Sequence, residues 1–522
     1  MAVYNLALIL ENTVSEAEFL LVKQTPPPKF GDEDYDSLVD SQLWDLPSTK
    51  LDILEGESEP KIAIQGVESL SGKINLRKYD LDSAIERVLE QVGIKAADGE
   101  DWRFFKFVEE PDFGPAFSIH TIYVTAKLTT GVQKFSELCK WMSIESCLNR
   151  LLDVKPSDDR VGPLVVVGVV NDSLQISKQK VDTTLHHQEY PPGVTLVPMR
   201  SRTAKPFHTT NLVIFAPQNV LNTQEDSNFV ACGDALIVDP GCLADFHEEL
   251  FKIVAALPRK LVVFVTHHHH DHIDGLSIIQ KCNPGATLLA HENTMRRIGK
   301  DDWSLGYTSV SGGEDICIGG QKLKVIFAPG HTDGHVGLLH ISTHSLIVGD
   351  HCLGQGSAFL DITSGGNMTD YFQSTYKFIE LGPHALIPMH GRVNLWPKHL
   401  LCAYLKNRRS RETTILKAIE NGAKTLFDIV ASVYCDVDCS FWIPASSNVQ
   451  LHVDHLAQQN KLPKEFSIEK FQRSSGVHFL GRWMWAYLTA GFQSRYKKLS
   501  IPKLLIAGAV ASVAVFYSIS WK

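Results

Sequence analysis

Cysteine is scarce in this chain, and its ten cysteines among 522 residues include no Cys-x-x-Cys pair. That scarcity excludes a disulfide scaffold of the small secreted type, and the missing pair excludes a zinc ribbon or a dithiol redox site. Cys435 and Cys439 come nearest, but a lone pair with this spacing is more typical of two reduced core thiols than of a metal site. The sequence therefore predicts a protein of a reducing compartment.

An excess of positive charge is also missing, because 50 Lys and Arg are outnumbered by 59 Asp and Glu, for a net charge of −9. This balance excludes a molecule that attracts nucleic acid with its whole surface, so any nucleic acid must be held by a local patch. The first ten residues lack the basic start of a signal peptide, and Glu11 ends their apolar run. A composition of 44% apolar and 21% charged residues indicates a globular chain with about three domains.

Residues 1–160 carry the alternating and helical patterns of an α+β domain. The patterns predict a hairpin, a helix that stops at a glycine, a strand and a second helix, in this order: 3–10 with 19–22, 81–93, 119–128 and 138–152. In and around the first predicted helix, a glycine is followed at fixed spacing by apolar, acidic and glycine residues: Gly72, Val88, Glu90, Gly93 and Ile94.

With this spacing the segment resembles a Nudix domain. The conserved motif of that family, the Nudix box, uses several glutamates to hold divalent cations on a diphosphate. Two of the glutamate positions are Lys78 and Gln91 here, and the arginine-glutamate pair is inverted as Glu86-Arg87. A hard cation needs several oxygen anions together. We therefore predict a Nudix-like fold without hydrolase activity, while an ordinary amphipathic helix would explain the same residues.

After residue 192 the pattern changes to short apolar runs that each end in a polar cluster. These runs are 212–215, 235–238, 261–265, 323–327, 346–348 and 386–387. They predict buried sheet strands. Because strand ends can bring side chains from distant positions to one point of a rigid scaffold, the polar clusters are the candidate functional residues.

The third of these runs leads into a histidine-rich segment with the pattern His-x-His-x-Asp-His, formed by His267, His269, Asp271 and His272. Imidazole nitrogens and a carboxylate are ligands that zinc and similar cations accept, and the tight spacing lets one turn supply four of them. His268 and His270 alternate with the motif positions, so we expect them to be spacers.

Three later runs each end at His or Asp. His331, Asp350 and His390 follow them in order, and Asp239 follows the second run. Each position alone is a weak signal, but together with the histidine-rich segment they make strand-end clusters in order along the chain. His335 and His351 lie beside these positions, which makes them candidates for supporting a ligand or protonating a leaving group.

With these motifs in order, the sequence resembles the metallo-β-lactamase superfamily. The resemblance implies an α/β fold, an αββα sandwich, and two metal ions, with zinc expected and manganese or iron possible alternatives. It implies His267, His269 and His331 around one ion, Asp271, His272 and His390 around the other, Asp350 between them, and Asp239 as a residue that orients the metal loop. The reaction implied is hydrolysis by a bridging hydroxide, with Asp271, Asp350 and His335 as the candidate catalytic residues.

The resemblance extends to the lactamase-beta-2 type, a branch that includes endoribonucleases specific for single-stranded RNA. It rests on segments around His331, Asp350 and His390, and on a C-terminal stretch that resembles the small winged-helix-like domain of that branch. One departure stands out, since Arg392 follows His390-Gly391 where proline is more usual. The predicted domains are 1–160 Nudix-like, 161–192 linker, 193–400 metallo-β-lactamase, 401–470 winged-helix-like, 471–503 basic linker and 504–520 membrane anchor.

The substrate is open at this level because the same two-metal centre cleaves several bond types. Arg408, Arg409 and Arg411 form a basic cluster that could contact RNA phosphates, although the net charge and the usual solvated role of such helix faces argue against it. The alternatives are a glyoxalase II-like thioester hydrolase acting on a small thioester, a mononuclear iron enzyme, and a non-catalytic membrane-tethered adaptor.

The C-terminal tail has a basic flank followed by residues 504–520, which carry no charge. Seventeen residues are at the short end of what spans a bilayer. The pattern predicts a tail anchor that places the protein on the cytosolic face of an intracellular membrane. A buried C-terminal helix, and hence a cytoplasmic protein, is the alternative.

Overall fold

The computed structural model describes residues 2–495 apart from 14–17, 58–59, 67–73, 96–97, 129–136, 153, 175–182, 217–227 and 361. Contacts divide it into two compact units. The first comprises Met1–Ala328, Gly334–Ser357 and Thr375–Cys402, and the second comprises Pro329–Asp333, Ala358–Ser374 and the described chain from Ala403 onward. The two units are described separately.

The first unit opens with a mixed sheet built from strands β1 to β8. Its strands are β1 (Val3–Asn12), β2 (Glu18–Lys23), β3 (Leu43–Asp45), β4 (Ser48–Lys50), β5 (Gly99–Val108), β6 (Ile119–Leu128), β7 (Cys139–Ser143) and β8 (Arg160–Val161). The order is β5-β6-β1-β2-β3-β8, with β4 paired to β1 and β7 to β2. β1 runs parallel to β6 and antiparallel to β2, so the predicted hairpin and the predicted third strand are confirmed.

The middle of strand β1, from Leu6 to Leu10, is continuously apolar because both of its faces are covered. Leu6, Leu8 and Leu10 pack under the helix Leu81–Val92, whereas Ala7 and Ile9 belong to the core on the opposite face. This alternation follows from the two-residue period of a strand. The helix ends as predicted at Gly93, which takes the left-handed conformation with a φ of 74°.

The Nudix-like fold of this domain stays a prediction. Gly72 lies outside the described residues, and Glu90 and Gln91 are exposed on the helix surface.

The prediction of a helix over residues 138–152 is wrong for the first half of that range. Residues Cys139–Ser143 form β7, which pairs with β2 from Glu18 opposite Ser143 onward, and only Ile144–Asn149 is helical. The open edge of β2 offers backbone partners, and this tertiary pairing overrides the local helical pattern. Ser143 then caps the helix by accepting the N–H of Ser146.

The predicted linker contains a helical stretch that is part of the N-terminal core. It runs through Pro163–Val165, Val166–Val170 and Asn171–Leu174. Val165, Val166 and Val170 are fully buried against the sheet.

The rest of the first unit contains two further sheets. Their strands are β9 (Gln188–Glu189), β10 (Val194–Arg200), β11 (Thr209–Phe215), β12 (Phe229–Gly233), β13 (Ala235–Val238), β14 (Leu261–Phe264), β15 (Thr287–Ala290), β16 (Tyr307–Ser309), β17 (Asp315–Ile318), β18 (Gln321–Phe327), β19 (Val336–His340), β20 (Ser345–Gly349) and β21 (Ala385–Pro388). One sheet has the order β16-β15-β14-β13-β11-β10-β9, and the other β12-β17-β18-β19-β20-β21. Each apolar run predicted as a strand after residue 192 overlaps a strand of one of them, and β14 ends one residue before the predicted run does.

The two sheets enclose one apolar core, in which Phe264, Leu338 and Ile387 are fully buried. Helices cover the other face of the first sheet, where Leu250 and Leu276 pack on Ile237. The helices along this part of the chain are His247–Ala256, His270–Ile273, Leu276–Cys282, Glu292–Met295 and Met368–Leu381. This layering brings the ends of β13, β14, β20 and β21 to one edge of the sandwich, which carries the predicted site.

The second unit is helical over its described C-terminal part. Its helices are Pro397–Glu420, which begins in the first unit, Leu426–Val433, Trp442–Gln458, Ile468–Arg473 and Val477–Arg495. Their core includes Ile415, Ile429 and Val453, all fully buried. Thr425 and Asp428 form a reciprocal capping box that starts the second helix.

Among the described residues no helix combines the length and the apolar character needed to cross a bilayer. The predicted anchor, residues 504–520, lies outside the described residues.

Candidate metal centre

Four predicted ligands from three separate loops converge at the edge of the sandwich. The ligand atoms of Asp271, His272, Asp350 and His390 all lie within 4.8 Å of one another. The Nε2 atom of His390 is 3.3 Å from an Asp271 oxygen and 3.4 Å from an Asp350 oxygen. The loops that follow β14, β20 and β21 therefore supply one compact group of two imidazoles and two carboxylates.

His267 and His269 adjoin this group. The Nε2 atom of His267 lies 3.0 Å from the Nδ1 atom of His269, and the ring of His267 lies 4.0 Å from the ring of His272. His267 and His272 are fully buried, whereas His270 is exposed and contacts Asp274.

His331, the remaining predicted ligand, lies in the turn Pro329–Asp333 between β18 and β19, a turn that groups with the second unit. Its Nδ1 donates a hydrogen bond of 2.9 Å to the carbonyl oxygen of Phe359 in the same unit. Because Nδ1 carries the proton of that bond, Nε2 is the nitrogen that can act as a ligand.

Asp239 has the contacts of an orienting residue. It is fully buried, with one oxygen accepting the backbone N–H of Thr266 at 2.8 Å. Its other oxygen accepts the Thr266 hydroxyl at 2.6 Å and the Nδ1–H of His272 at 2.8 Å. A proton held at Nδ1 leaves the Nε2 atom of His272 free to bind a cation, which is the tautomer that a metal site requires.

Two glycines allow the ligand loops to approach the scaffold. A Cβ atom on Gly241 would clash with the backbone of Asp271. Gly349 has a φ of 55°, and a Cβ atom there would clash with the Nε2 atom of His335. A larger residue at either position would displace a loop that carries a ligand.

His335 holds the backbone of Asp350 through a hydrogen bond. Its Nδ1 donates to the carbonyl oxygen of Ala328 at 3.1 Å, and its Nε2 accepts the backbone N–H of Asp350 at 3.2 Å. Burial lowers the pKa of His335 to about 3, so the ring is neutral. These contacts are those of a positioning residue, and they use both nitrogens that protonation of a leaving group would need.

The electrostatics of the group are strongly coupled. Burial alone would raise the pKa of Asp350, but His390 and His272 hold it well below its usual range. Burial likewise would lower the pKa of His390, but Asp350 and Asp271 raise it to about 9. The cluster is thus built to balance buried carboxylates with positive charge, whether from protons or from a cation.

The donor set fits a divalent cation. The Nε2 atom of His272 and one oxygen of Asp350 are buried and make no hydrogen bond in the described structure. Ligands placed tetrahedrally about 2.1 Å from a cation lie roughly 3.4 Å apart. The imidazole-to-carboxylate distances here are 3.3 to 3.8 Å, longer than hydrogen bonds and close to that spacing.

The three arginines predicted to contact phosphate have different surroundings. Arg408 is buried, donates to the carbonyl oxygen of Ala358 and stacks on Tyr371. Arg411 lies over the ring of Tyr434, 4.4 Å from its centre, and Arg409 is exposed. Arg408 is therefore a packing residue of the second unit, and the phosphate role stays a prediction for Arg409 and Arg411.

A buried charged cluster follows on the same helix. An oxygen of Glu412 lies 2.6 Å from Nδ1 of His455 and 3.4 Å from Nδ1 of His452. Burial would raise the pKa of Glu412, but the contacts with these two histidines lower it to about 2. The cluster joins the helices Pro397–Glu420 and Trp442–Gln458 and sequence reasoning missed it.

Sequence reasoning also missed the groups that hold the ligands. His390 donates from Nδ1 to the carbonyl oxygen of Thr209 at 2.8 Å. A backbone carbonyl carries no residue signature, so no sequence signal could have identified this partner. Thr266 could have been noticed, because it stands between a buried strand and His267.

Comparison with known proteins identifies this architecture. Residues 223–390 match the model of the metallo-β-lactamase superfamily, and residues 425–467 match that of the β-lactamase-associated winged helix domain. The chain therefore contains a metallo-β-lactamase superfamily domain followed by a winged helix domain, and it is a hydrolase of the metallo-β-lactamase fold. Members of this superfamily generally use a divalent metal, typically zinc.

Several curated proteins are similar to this chain. A Beta-lactamase-like protein 2 homolog of Caenorhabditis elegans is 28% identical over 228 residues, which is 43% of this chain and 75% of the relative. That of Drosophila melanogaster is 26% identical over 212 residues, 38% of this chain and 69% of the relative. A hydroxyacylglutathione hydrolase of Gloeobacter violaceus is 27% identical over 169 residues, which is 32% of this chain and 60% of the relative.

Among solved structures, a β-lactamase domain protein from Burkholderia ambifaria aligns with a TM-score of 0.45 and 19% identity, over 57% of this chain and 96% of that one.

Proposed function

We propose that this chain is a two-metal hydrolase of phosphodiester bonds, acting as an endoribonuclease on single-stranded RNA. The observation that carries the proposal is the group formed by Asp271, His272, Asp350 and His390, with His267 and His269 beside it. Pairs of metal ions in hydrolases clamp the attacking and leaving oxygens of a phosphodiester. A chain with so many ligand positions filled is better suited to catalysis than to an adaptor role.

The proposed ligands are His267, His269 and His331 for one ion and Asp271, His272 and His390 for the other, with Asp350 shared. Bound divalent cations would activate a water molecule at neutral pH and stabilise the negative charge that develops on the substrate.

The protein's own part is to hold these ligands in their working tautomers and positions. Asp239 fixes the proton of His272 on Nδ1, and the carbonyl of Thr209 does the same for His390. His335 fixes the backbone of Asp350. The carboxylate of Asp271, only partly buried, is the group placed to orient a water molecule.

The choice of RNA is supported by two observations. The motifs around the ligands resemble those of a branch that includes endoribonucleases. Arg409, exposed on a long helix of the second unit, offers a phosphate contact.

A thioester hydrolase is the second candidate. It is favoured by the similarity to several hydroxyacylglutathione hydrolases, one of them 29% identical over 185 residues. The substrate of those relatives is an acylated glutathione, so the competing substrate for this chain is a small thioester.

The two candidates can be separated with the full-length protein and zinc or manganese. A single-stranded RNA and a hydroxyacylglutathione are offered in parallel, with Asp271→Ala as the inactive variant and Asp274→Asn as the matched control from the same loop. RNA cleavage that Asp271→Ala loses and Asp274→Asn keeps would support the endoribonuclease. Thioester hydrolysis without RNA cleavage would replace it with the second candidate.

Metal analysis tests the ion count on the same preparations. Two zinc ions per chain are expected. One redox-active iron per chain would instead make this a mononuclear iron enzyme, because His and Asp ligands also suit iron.

We also propose that residues 504–520 anchor the protein in a membrane, on the evidence of their uncharged sequence and basic flank. Deletion of residues 500–522 should move the protein from the membrane fraction to the supernatant and leave hydrolysis unchanged. An aggregated deletion variant would show that the tail belongs to the core.

A further inference from the structure

The N-terminal domain reaches the metal centre through the segment between β5 and β6, residues 110–117. Phe113 of this segment is only 3% exposed and lies in the core between the two sheets of the metallo-β-lactamase domain. Asp112, Glu110 and Gly114 contact residues next to His390. The segment is therefore shared between the two domains of the first unit.

The strongest of these contacts involves Arg392, the residue that departs from the proline usual at this position. Its Nε donates to one oxygen of Glu110 at 2.6 Å and its Nη2 to the other oxygen at 2.7 Å. Nη2 also donates to the carbonyl oxygen of Phe117 at 2.6 Å. Two parallel charge-assisted bonds fix both position and direction, so the N-terminal domain fixes a residue two positions after a predicted metal ligand.

Little freedom remains between that residue and the ligand. Gly391 has a φ of 91°, and a Cβ atom there would lie 2.9 Å from the Cα atom of Gly354. The backbone N–H of Gly354 in turn donates to the carbonyl oxygen of His390 at 2.8 Å. A shift of Arg392 is therefore transmitted to His390, because the intervening backbone is packed against another loop.

A second line of contact reaches His390 from its other side. The carbonyl oxygen of Asp112 accepts the hydroxyl of Thr209 at 3.4 Å, and its carboxylate lies 2.9 Å from Nε2 of His208. The carbonyl of Thr209 is the group that accepts the Nδ1–H of His390. The N-terminal segment thus holds the strand end that fixes the tautomer of the ligand.

A third contact passes through Phe207. A Cβ atom on Gly114 would lie 2.8 Å from the Phe207 ring, and the centre of that ring is 5.8 Å from the centre of the His390 ring. A cavity of about 50 Å³ opens between residues 113–116, Phe207 and Arg392. The N-terminal domain therefore reaches His390 in three ways: through the backbone carbonyl of Asp112, through the ring of Phe207 and through the ion pair between Glu110 and Arg392.

We propose that residues 110–117 of the N-terminal domain are a positioning element of the metal centre, which holds His390 in its ligand orientation through Glu110 and Asp112. The inference deepens the proposed function and rests on it, since it assigns to the first domain a task at the site that carries out hydrolysis. The domain acts on the centre without supplying a ligand.

The test measures zinc affinity of the full-length protein by competition with a chromophoric chelator. Glu110→Gln keeps the size of the side chain and removes its charge. Arg392→Lys keeps the positive charge and removes the guanidinium group that donates to both oxygens of Glu110. Supporting contacts of metal ligands are worth about 10- to 100-fold in metal affinity. We expect each variant to weaken the zinc site by about tenfold or more, and the double variant to lose little beyond either single one.

The control is Asp101→Asn, a matched change in the same domain. Asp101 forms a partly exposed ion pair of 2.7 Å with Arg103, and Asn tolerates its φ of 56°. It should bind zinc within about twofold of the wild type, in keeping with a surface pair of little energetic weight.

Thermal unfolding in EDTA separates positioning from stability. If Glu110→Gln unfolds at a lower temperature but binds zinc like the wild type, the segment is only structural and the proposal is overturned. A zinc affinity that falls while unfolding in EDTA is unchanged supports it. On whichever substrate the wild type hydrolyses, kcat should fall at constant KM. The zinc result decides the inference even if neither RNA nor thioester is cleaved, a result that would overturn only the proposed function.

Discussion

Replacement of Asp239 by asparagine should weaken metal binding although Asp239 is not expected to bind metal. Its two oxygens accept three hydrogen bonds, two from Thr266 and one from His272. An asparagine side chain of the same size has one oxygen and one NH₂ group, so it faces at least one of these donors with another donor. In either orientation of the amide one buried donor loses its acceptor, and the negative charge that Asp239 places beside the Nδ1–H of His272 is removed.

The magnitude follows from these contacts. A buried donor left without a partner costs about 1 to 3 kcal/mol, and outer partners of metal ligands are worth about 10- to 100-fold in affinity. A tenfold change is about 1.4 kcal/mol. We therefore expect Asp239→Asn to bind zinc about 10- to 100-fold more weakly, with a fall of about 1 to 3 kcal/mol in the free energy of unfolding of the metal-free protein.

Zinc affinity can be measured by chelator competition and stability by urea unfolding in EDTA. Asp274→Asn is the matched control, because Asp274 lies in the same loop but contacts His270 and Arg202 on the outside of the cluster. If Asp239→Asn retained wild-type zinc affinity, the tautomer of His272 would not depend on Asp239, and the reasoning would be refuted.

Three further changes test other parts of the molecule. Asp271→Ala removes a carboxylate from the four-ligand group, so metal analysis should find fewer ions per chain and hydrolysis should be lost, while circular dichroism stays unchanged. In the folded protein the pKa of Glu412 is about 2, against an ordinary value of 4.5. The ionised carboxylate therefore stabilises the fold above pH 4.5, and this stabilisation is lost as the pH falls toward 2. The urea midpoint of Glu412→Gln should accordingly depend less on pH over that range than the midpoint of the wild type. Gly330 has a φ of 130°, and a Cβ atom there would clash with the backbone of Tyr371; Gly330→Ala should lower the melting temperature and the zinc affinity, and an unchanged value of both would contradict the tight turn.

The ligand loops could be predicted from sequence because each follows a buried strand with a clear apolar pattern. Four-residue runs such as Ala235–Val238 lie where the pattern placed them, and the residues after them converge because their strands end at the same edge. The histidine-rich motif after β14 added chemistry that composition alone does not contain.

The contacts that hold the ligands could not be predicted, for physical reasons. The pair Arg392 and Glu110 joins positions 282 residues apart, and nothing local in the chain marks either residue for the other. The carbonyl of Thr209 looks like any other backbone group. The strand β7 was missed because its conformation depends on the open edge of β2, which a local pattern does not contain.

The burial of Phe113 has a consequence for how the chain folds during synthesis. Its neighbours in the core include Met389, which the ribosome adds long after the N-terminal sheet has been completed. Contacts between distant positions form late, because the intervening chain must first be closed into a loop. The aromatic side chain of Phe113 therefore completes its packing only when the last strand of the sandwich arrives, so the N-terminal domain reaches its final form after the whole first unit has been synthesised.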